Sequence, residues 1–508
     1  MQLLIFGGVI LSNELIADIG VCENRVALLE DGELAEISIE RPGAARMVGG
    51  IYRGKVSSVL PGMQAAFIDI GYEKNAFLYV GDIMAKKDYM DDDDEAEQDI
   101  KGCNIADLLT AGQELTVQVI KEPIGSKGPR VTTNITLPGR HLVLLPDADY
   151  TGVSRRIENE AERNKLKKIA ENLKPKGMGL IVRTASEGVE EQAFIEDLNF
   201  LLKLWDNIKK KERSGPVPRC MHKDLSLVHR AVRDMFTKDI DKFVINDREQ
   251  YNKVLELVDM ISPALKYRVE YYGKDYDMFE YYQLETKLAK ALSRKVWLKC
   301  GGYIVIDKTE ALTVIDVNTG KYVGGSSLED TVLKTNLEAA SEIAKQIRLR
   351  DIGGIIIIDF IDMHEHDHQQ AVLDMLKQAL KKDRTKTAVV GMTGLGLIEM
   401  TRKKVKQELS TVLNVDCPYC DGSGKALSPE GIARNAAKEI ARYMGQTTAD
   451  LLQVELHPSV EHVLKSDING YFSRLQETYN KKVLFKGSDK LRYDEIKINQ
   501  VDIKTLVC

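Results

Sequence analysis

Two aspartates, Asp316 and Asp359, each close a strongly apolar run, ALTVIDVN at 311–318 and GIIIIDF at 354–360. Short apolar runs of this kind predict buried strands. As parallel neighbours in one sheet the two strands would lie about 4.8 Å apart. Their C-terminal ends would then open on the edge where ligand sites in open α/β sheets usually lie. Two carboxylates at such an edge repel each other unless a proton or a cation lies between them. Mg²⁺ suits the arrangement, because it takes oxygen ligands and commonly binds through one or two carboxylates plus substrate phosphate and water. Asn318 shares the face of Asp316, since side chains alternate with period two, and is placed to orient a water or contact a phosphate oxygen. The expected chemistry is metal-assisted hydrolysis at phosphorus. The alternative, that each aspartate caps the loop after its strand, accounts for one such residue better than for two on a shared edge. Asp362 would point to the opposite face from Asp359 if the strand continues, which gives it a supporting position.

Two other groups carry metal-ligand types. HEHDH at 364–368 offers histidines and acids, but it lies in the connection after a strand and lacks HExxH spacing, so a polar helix start explains it better. Cys417-Pro-Tyr-Cys420 is followed by Asp-Gly-Ser-Gly, the spacing of a zinc knuckle. A thiolate zinc site normally takes four ligands, and no second CxxC exists in the chain. The missing pair is expected from the same segment of a second chain, on a two-fold axis. A redox CxxC opens a helix after a strand; here glycines follow, which favours zinc, with a metal-free turn as the remaining alternative.

These residues need elements to position them. GYIVID (302–307) and ALTVIDVN form a hairpin signal, followed by a helix from 327 to 350, the strand 354–360, a helix near 368–382 and a strand TAVVGM at 387–392. This β-β-α-β-α-β order implies a sheet with at least one parallel crossover. Upstream, alternation in IYRGKVSSVL and AAFIDIG, with Pro61-Gly62 between them, then QELTVQVIKE (113–122) and RVTTNIT (130–136), suggests five short strands in an OB-type barrel. Tyr52, Phe67, Phe77 and Tyr79 are either stacking platforms for bases or barrel core. Ser154 is a candidate cap for a charged helix running to Leu173. A strand GLIVRT (179–184), a helix from 190 to 211 and a mostly helical stretch at 229–300, with a strand FVIN at 243–246, follow.

The composition, 44% hydrophobic and 29% charged over 508 residues, is that of a folded chain of several domains. No apolar run approaches the roughly 20 residues needed to span a bilayer. Residues 2–11 are apolar but lack a basic leader and a cleavage site, so they read as a first strand or as an extension upstream of the true start. Seven scattered cysteines, with one close pair, argue against a disulfide framework and for a reducing cytoplasm. The net charge of −6 owes much to DYMDDDDEAEQD at 88–99, eight acids without a base, read as a solvated loop. Basic clusters at 209–213, 381–386 and 402–406 are candidate phosphate contacts or ordinary solvated faces.

EALTVIDVNTG (310–320), NLEAASEIAKQIRLRDIGGIIIIDFIDM (336–363), GLIVRTAS (179–186), MQAAFIDIG (63–71) and CPYCDGSG (417–424) together resemble the catalytic half of the RNase E/G family, from about Glu14 to the C-terminus. The long scaffold that some members carry after that half is not expected, so the chain resembles the shorter, RNase G-like type. The resemblance implies a multidomain α+β fold: an RNase H-like subdomain split between 1–47 and 229–293, an S1 domain of the OB kind at 48–136, a 5′-sensor region at 137–228, a DNase I-like α/β catalytic subdomain at 294–414, a zinc link at 415–425 and a small α/β domain at 426–508. It implies an endoribonuclease that cuts single-stranded RNA, with Asp316 and Asp359 on catalytic Mg²⁺ and Asn318 supporting them. Cys417 and Cys420 would share structural Zn²⁺ between protomers of a homodimer or homotetramer. Arg183 and Thr184 would bind a 5′-monophosphate, with Gly139 and Val143 lining the pocket, and an arginine fork does match phosphate oxygens. Phe67, Phe77, Lys121 and Lys127 would contact RNA. The family reading also suggests ribosomal RNA processing and messenger decay. Lys386 departs from the pattern: an arginine supporting the sensor is expected there, and lysine keeps the charge but loses the planar fork. Two other classes remain open, a non-catalytic RNA-binding protein and a zinc-dependent assembly factor.

Overall fold

The computed structural model describes residues 12–41, 46–84, 104–123, 127–157, 159–321, 328–415, 417–418, 420, 422, 424–466 and 470–501. The apolar start at 2–11, the acid run at 88–99, Cys103 and Cys508 lie outside the described residues. The chain divides into two compact units between Leu413 and Asn414.

The first unit opens on a five-stranded sheet. Asn13–Ile19, Asn24–Glu30 and Glu33–Glu40 follow one another as antiparallel neighbours. Asn13–Ile19 also pairs in parallel with Lys242–Ile245, which pairs in parallel with Val269–Tyr271. Asn246 fastens this junction, accepting the Ile19 amide at 2.8 Å and donating to Asp18 at 2.6 Å. Helices Leu227–Asp234 and Arg248–Ile261 cover one face around Phe236 and Phe243, and Phe279 and Leu284 pack on the other.

Between the two halves of that sheet lie two further bodies. Ile51–Leu60, Ala65–Asp69, Ala76–Tyr79, Glu114–Lys121 and Arg130–Thr132 form a closed barrel, because the first strand pairs with Glu114–Lys121 as well as with Ala65–Asp69. Alternate residues such as Ala66, Ile68, Ala76 and Leu78 fill it. The second body is a four-stranded sheet, Thr151–Val153, Gly179–Val182, Leu142–Leu145 and Leu137–Pro138, packed on helices Glu160–Leu173 and Glu191–Glu212. Asn159 caps the first of these helices, so it starts later than a Ser154 cap would allow; Ser154 instead closes a turn onto Arg156. Asn159 accepts from two helix amides, Ala161 and Glu162, and the Ser154 hydroxyl from one turn amide alone.

The unit closes with a six-stranded sheet in the order Lys295–Trp297, Tyr303–Lys308, Leu312–Asn318, Gly354–Asp359, Leu397–Arg402, Thr387–Met392. Helices Leu328–Leu349 and His366–Leu380 cover one face, with Ile343, Ile347 and Leu376 against Ile315, Ile356 and Ile358. HEHDH leads into the second helix, which begins at His366 with Glu365 at its N-cap. Leu397–Arg402 is a strand that the sequence reading missed, and it separates Thr387–Met392 from Gly354–Asp359.

In the second unit, helix Pro429–Gln446 packs on a three-stranded sheet of Leu451–Leu456, Lys482–Gly487 and Lys497–Val501. Among the described residues no helix is long and apolar enough to cross a membrane.

Candidate active site

Leu312–Asn318 and Gly354–Asp359 are parallel neighbours, and Asp316 stands directly opposite Asp359. Both carboxylates are exposed on the sheet face that the two helices leave uncovered. The Asn318 amide donates to Asp316 Oδ2 at 2.8 Å, which fixes the rotamer of that aspartate. Burial holds the Asp359 carboxyl above the ordinary carboxylate range, and the negative charges of Asp316 and Asp362 push it further. The strand ends at Asp359, so alternation does not extend to Asp362 and cannot send it to the far face; its exposed carboxylate instead adds to the charge at the pair. An acid whose ionisation two neighbouring carboxylates oppose makes a site that a divalent cation relieves. Among the described residues no three metal-ligand side chains enclose an ion by themselves. Two carboxylates with the rest of the shell supplied by substrate and water is the usual manner of Mg²⁺, so the residues present fit it.

Asn336 is a positioning residue that the sequence reading overlooked. Fully buried in the long helix, it donates to the Ile361 carbonyl at 2.8 Å and accepts the Ile361 amide at 3.2 Å, fixing the chain two residues beyond Asp359. A polar residue on the apolar stripe of an amphipathic helix was the available signal.

On the barrel, one register row runs across four strands: Phe67 opposite Phe77, Phe77 beside Arg130, Arg130 opposite Lys121. Phe67 and Phe77 are half-buried, outside the barrel core, with rings 6.1 Å apart edge to face. Lys121 and Lys127 are exposed. Arg130, not singled out from the sequence, pairs with Asp82 at 2.7 Å and lies 6.0 Å from the Tyr79 ring. Tyr52 and Tyr79 pack partly into the barrel core. Tyr52 also lies against Cys220, and its hydroxyl is pushed up to about 12, first by burial and then by the neighbouring thiol.

The Ribonuclease E/G family profile matches residues 136–405. The chain is 42% identical to Ribonuclease G of Salmonella typhimurium (strain SL1344), over 89% of this chain and 92% of that protein. It is 40% identical to Ribonuclease G of Haemophilus influenzae (strain ATCC 51907 / DSM 11121 / KW20 / Rd), over 93% and 96%. It is 40% identical to Ribonuclease E of the same organism, over 81% of this chain and 44% of that protein. The chain belongs to the ribonuclease E/G family. It is an endoribonuclease of the RNase G-like kind.

In this endoribonuclease Arg183 lies at the end of Gly179–Val182 and reaches Gly139 O at 2.5 Å and Asp234 Oδ1 at 2.8 Å. Val143 stands opposite Ile181, on the face that Arg183 shares by alternation, and Thr184 is exposed beside it. Gly139 is required by close approach: a Cβ there would fall 2.5 Å from the Asp197 carboxylate. That buried carboxylate accepts the amides of Arg140, His141 and Leu142 at 2.8–3.1 Å and so shapes the turn. The guanidinium of Arg384, two residues before Lys386, donates to Asp234 O at 2.8 Å, tying the segment before Thr387–Met392 to the partner of Arg183.

The three basic clusters are largely occupied. Lys209 pairs with Glu212 and Lys211 donates to Met221 O. Arg402 is buried against Asp383 and Asp351, so it is no phosphate contact. Cys417 is exposed and Cys420 half-buried, with the Gly424 amide 3.2 Å from Cys420 Sγ. This amide contact and the left-handed Gly422 and Gly424 turn the segment around the two sulfurs, an arrangement that fits half of a tetrahedral zinc site. Among the described residues none of the five cysteines forms a disulfide.

Proposed function

We propose that this endoribonuclease hydrolyses single-stranded RNA with Mg²⁺ held by Asp316 and Asp359, leaving a 5′-phosphate and a 3′-hydroxyl. The observation that carries the reading is the direct opposition of the two carboxylates on parallel strands, with the Asn318 amide on Asp316. When bound, the metal supplies Lewis-acid polarisation of the phosphate and an activated water. The chain's own residues do the rest. Asn318 keeps Asp316 in one rotamer, Asn336 keeps the backbone after Asp359 in place, and Asp362 adds to the local negative charge. Water oxygen bonds to phosphorus, the P–O3′ bond breaks, and the departing 3′-oxygen takes a proton. Phe67, Phe77, Lys121 and Lys127 hold the strand on the barrel surface, the rings by stacking and the lysines at phosphates.

Arg183 and Thr184, with Gly139 and Val143 around them, form the pocket for a 5′-monophosphate. The phosphate competes with Asp234 for the Arg183 fork, and Arg384 takes the supporting part that Lys386 fills less well. Ribosomal RNA maturation and messenger decay in the cytoplasm are the processes this activity suits. The test is purified protein with an A/U-rich single strand carrying a 5′-monophosphate or a 5′-hydroxyl, with and without Mg²⁺. Internal cuts that need Mg²⁺, leave ligatable 5′-phosphates and come faster on the monophosphate support the whole reading. Equal rates on both ends remove the sensor, and metal-independent cleavage removes the Mg²⁺ site.

Cys417 and Cys420 would join two chains through a shared Cys₄ zinc site. Light scattering will then give the wild type at least twice the mass of one chain, and Cys417→Ser or chelation will halve it. An unchanged mass in the variant rejects the zinc link.

A further inference from the structure

The edge strand Lys295–Trp297 carries a tryptophan 56% exposed, although burying an aromatic side chain is among the largest gains a fold can make. Register places it. Trp297 stands opposite Tyr303, and Tyr303 opposite Asn318, in one row across three strands. The next row runs Lys295, Val305, Asp316, Asp359. Opposed residues share a face, so the two rings and Lys295 lie on the same open face as the carboxylates. Strand spacing sets Trp297 about 10 Å from Asn318, two steps of about 4.8 Å. The rings meet edge to face at 5.4 Å, and Lys295 Nζ lies 4.2 Å from the Trp297 ring and 3.4 Å from the Tyr303 ring. The platform and Asn318 are built as one unit: Gly320, at φ +61°, passes so close that a Cβ there would meet the Tyr303 ring at 3.1 Å.

We propose that Trp297 and Tyr303 form a base-stacking subsite for the RNA strand crossing the Asp316–Asp359 pair, with Lys295 at the adjoining phosphate. The inference rests on the endoribonuclease reading of that face. An exposed indole stacks on any base, and a cation beside it suits a phosphodiester chain rather than an apolar partner. Stacking of this kind selects single strands, because paired bases do not offer their faces.

The chain has two tryptophans, and Trp205 is 5% exposed, so a fluorescence change on RNA binding reports Trp297. In EDTA, where no cutting occurs, an A/U-rich single strand will quench wild-type fluorescence saturably and leave Trp297→Phe almost unchanged. With Mg²⁺, Trp297→Ala will raise KM about ten-fold, within the range for losing one stacked base, with kcat changed less than two-fold. Trp297→Phe will restore most of the loss. An abasic position walked past the scissile bond will weaken binding to the wild type at one site and leave Trp297→Ala indifferent there. Absence of quenching, or an unchanged KM in Trp297→Ala, overturns the subsite. Failure of the wild type to cleave with Mg²⁺ refutes the metal reading instead, and the fluorescence titration still decides the subsite.

Discussion

Asp359→Asn will cut the rate of RNA cleavage by about 10³-fold or more, the scale of losing one essential charge in a metal-assisted displacement, and will leave RNA affinity within a few-fold of the wild type. The same substitution will raise the melting temperature of EDTA-treated protein. Burial raises the Asp359 carboxyl above its unfolded value, and Asp316 and Asp362 raise it further. A raised carboxyl binds its proton more tightly in the folded state, so ionisation costs stability as pH rises through the raised value, and the cost is absent below the ordinary carboxylate range. The gain in the variant is therefore present at pH 7 and closes as the pH falls through that range. Most of the group is exposed and solvent screens it, so the shift will be small, about 1–2 °C. Mg²⁺ will raise the melting point of the wild type and not of the variant. Cleavage at the wild-type rate by Asp359→Asn, with RNA bound, overturns the site. A site whose catalytic residue destabilises the empty fold is the usual trade between activity and stability.

Arg402→Ala will be the most damaging change away from the chemistry. Arg402 is 4% exposed and donates Nε to Asp383 at 2.6 Å and a terminal nitrogen to both Asp351 at 2.6 Å and Ile352 O at 3.0 Å. Its second terminal nitrogen reaches Thr385 at 3.2 Å. Deleting it strands the buried carboxylate of Asp383, and breaking a buried pair in this way costs about 3–5 kcal/mol. Arg402 stands opposite Gly354, at the far end of the strand from Asp359. Thermal unfolding of the first unit will therefore move down sharply, while kcat at low temperature stays close to that of the wild type. A melting curve unchanged by Arg402→Ala refutes this account.

The carboxylate edge was legible because two signals agreed: short continuous apolar runs and an aspartate at the same relative end of each. The barrel was legible for a similar reason, since its strands alternate and its turns carry glycine. Leu397–Arg402 escaped notice although its residues alternate between buried and exposed. Arg402 sits at one of the buried positions, and a buried arginine reads as surface until its partners, 19 and 51 residues away, are known. The far-face placement of Asp362 held only if its strand continued, and the strand stops at Asp359. Arg130 gains its meaning only from the row that sets it between Phe77 and Lys121, which no local pattern contains. The cap of the helix at Glu160 went to Asn159 rather than Ser154, a choice between two good capping residues that spacing alone does not make.

The first sheet joins Asn13–Ile19 to a strand whose residues lie 228 positions further along the chain. On a ribosome adding about 5–20 residues per second, the early strands wait roughly 10–50 s for their partner. Throughout that interval Asn13–Ile19 has an open edge, with Leu15 and Ile16 waiting for cover. The barrel and the four-stranded sheet, encoded in between, finish emerging first. The first sheet is therefore completed only after both of those bodies, and before the six-stranded sheet at 295–402 is made. An open apolar edge held that long invites wrong pairing, and synthesis that stalls before residue 242 leaves it exposed.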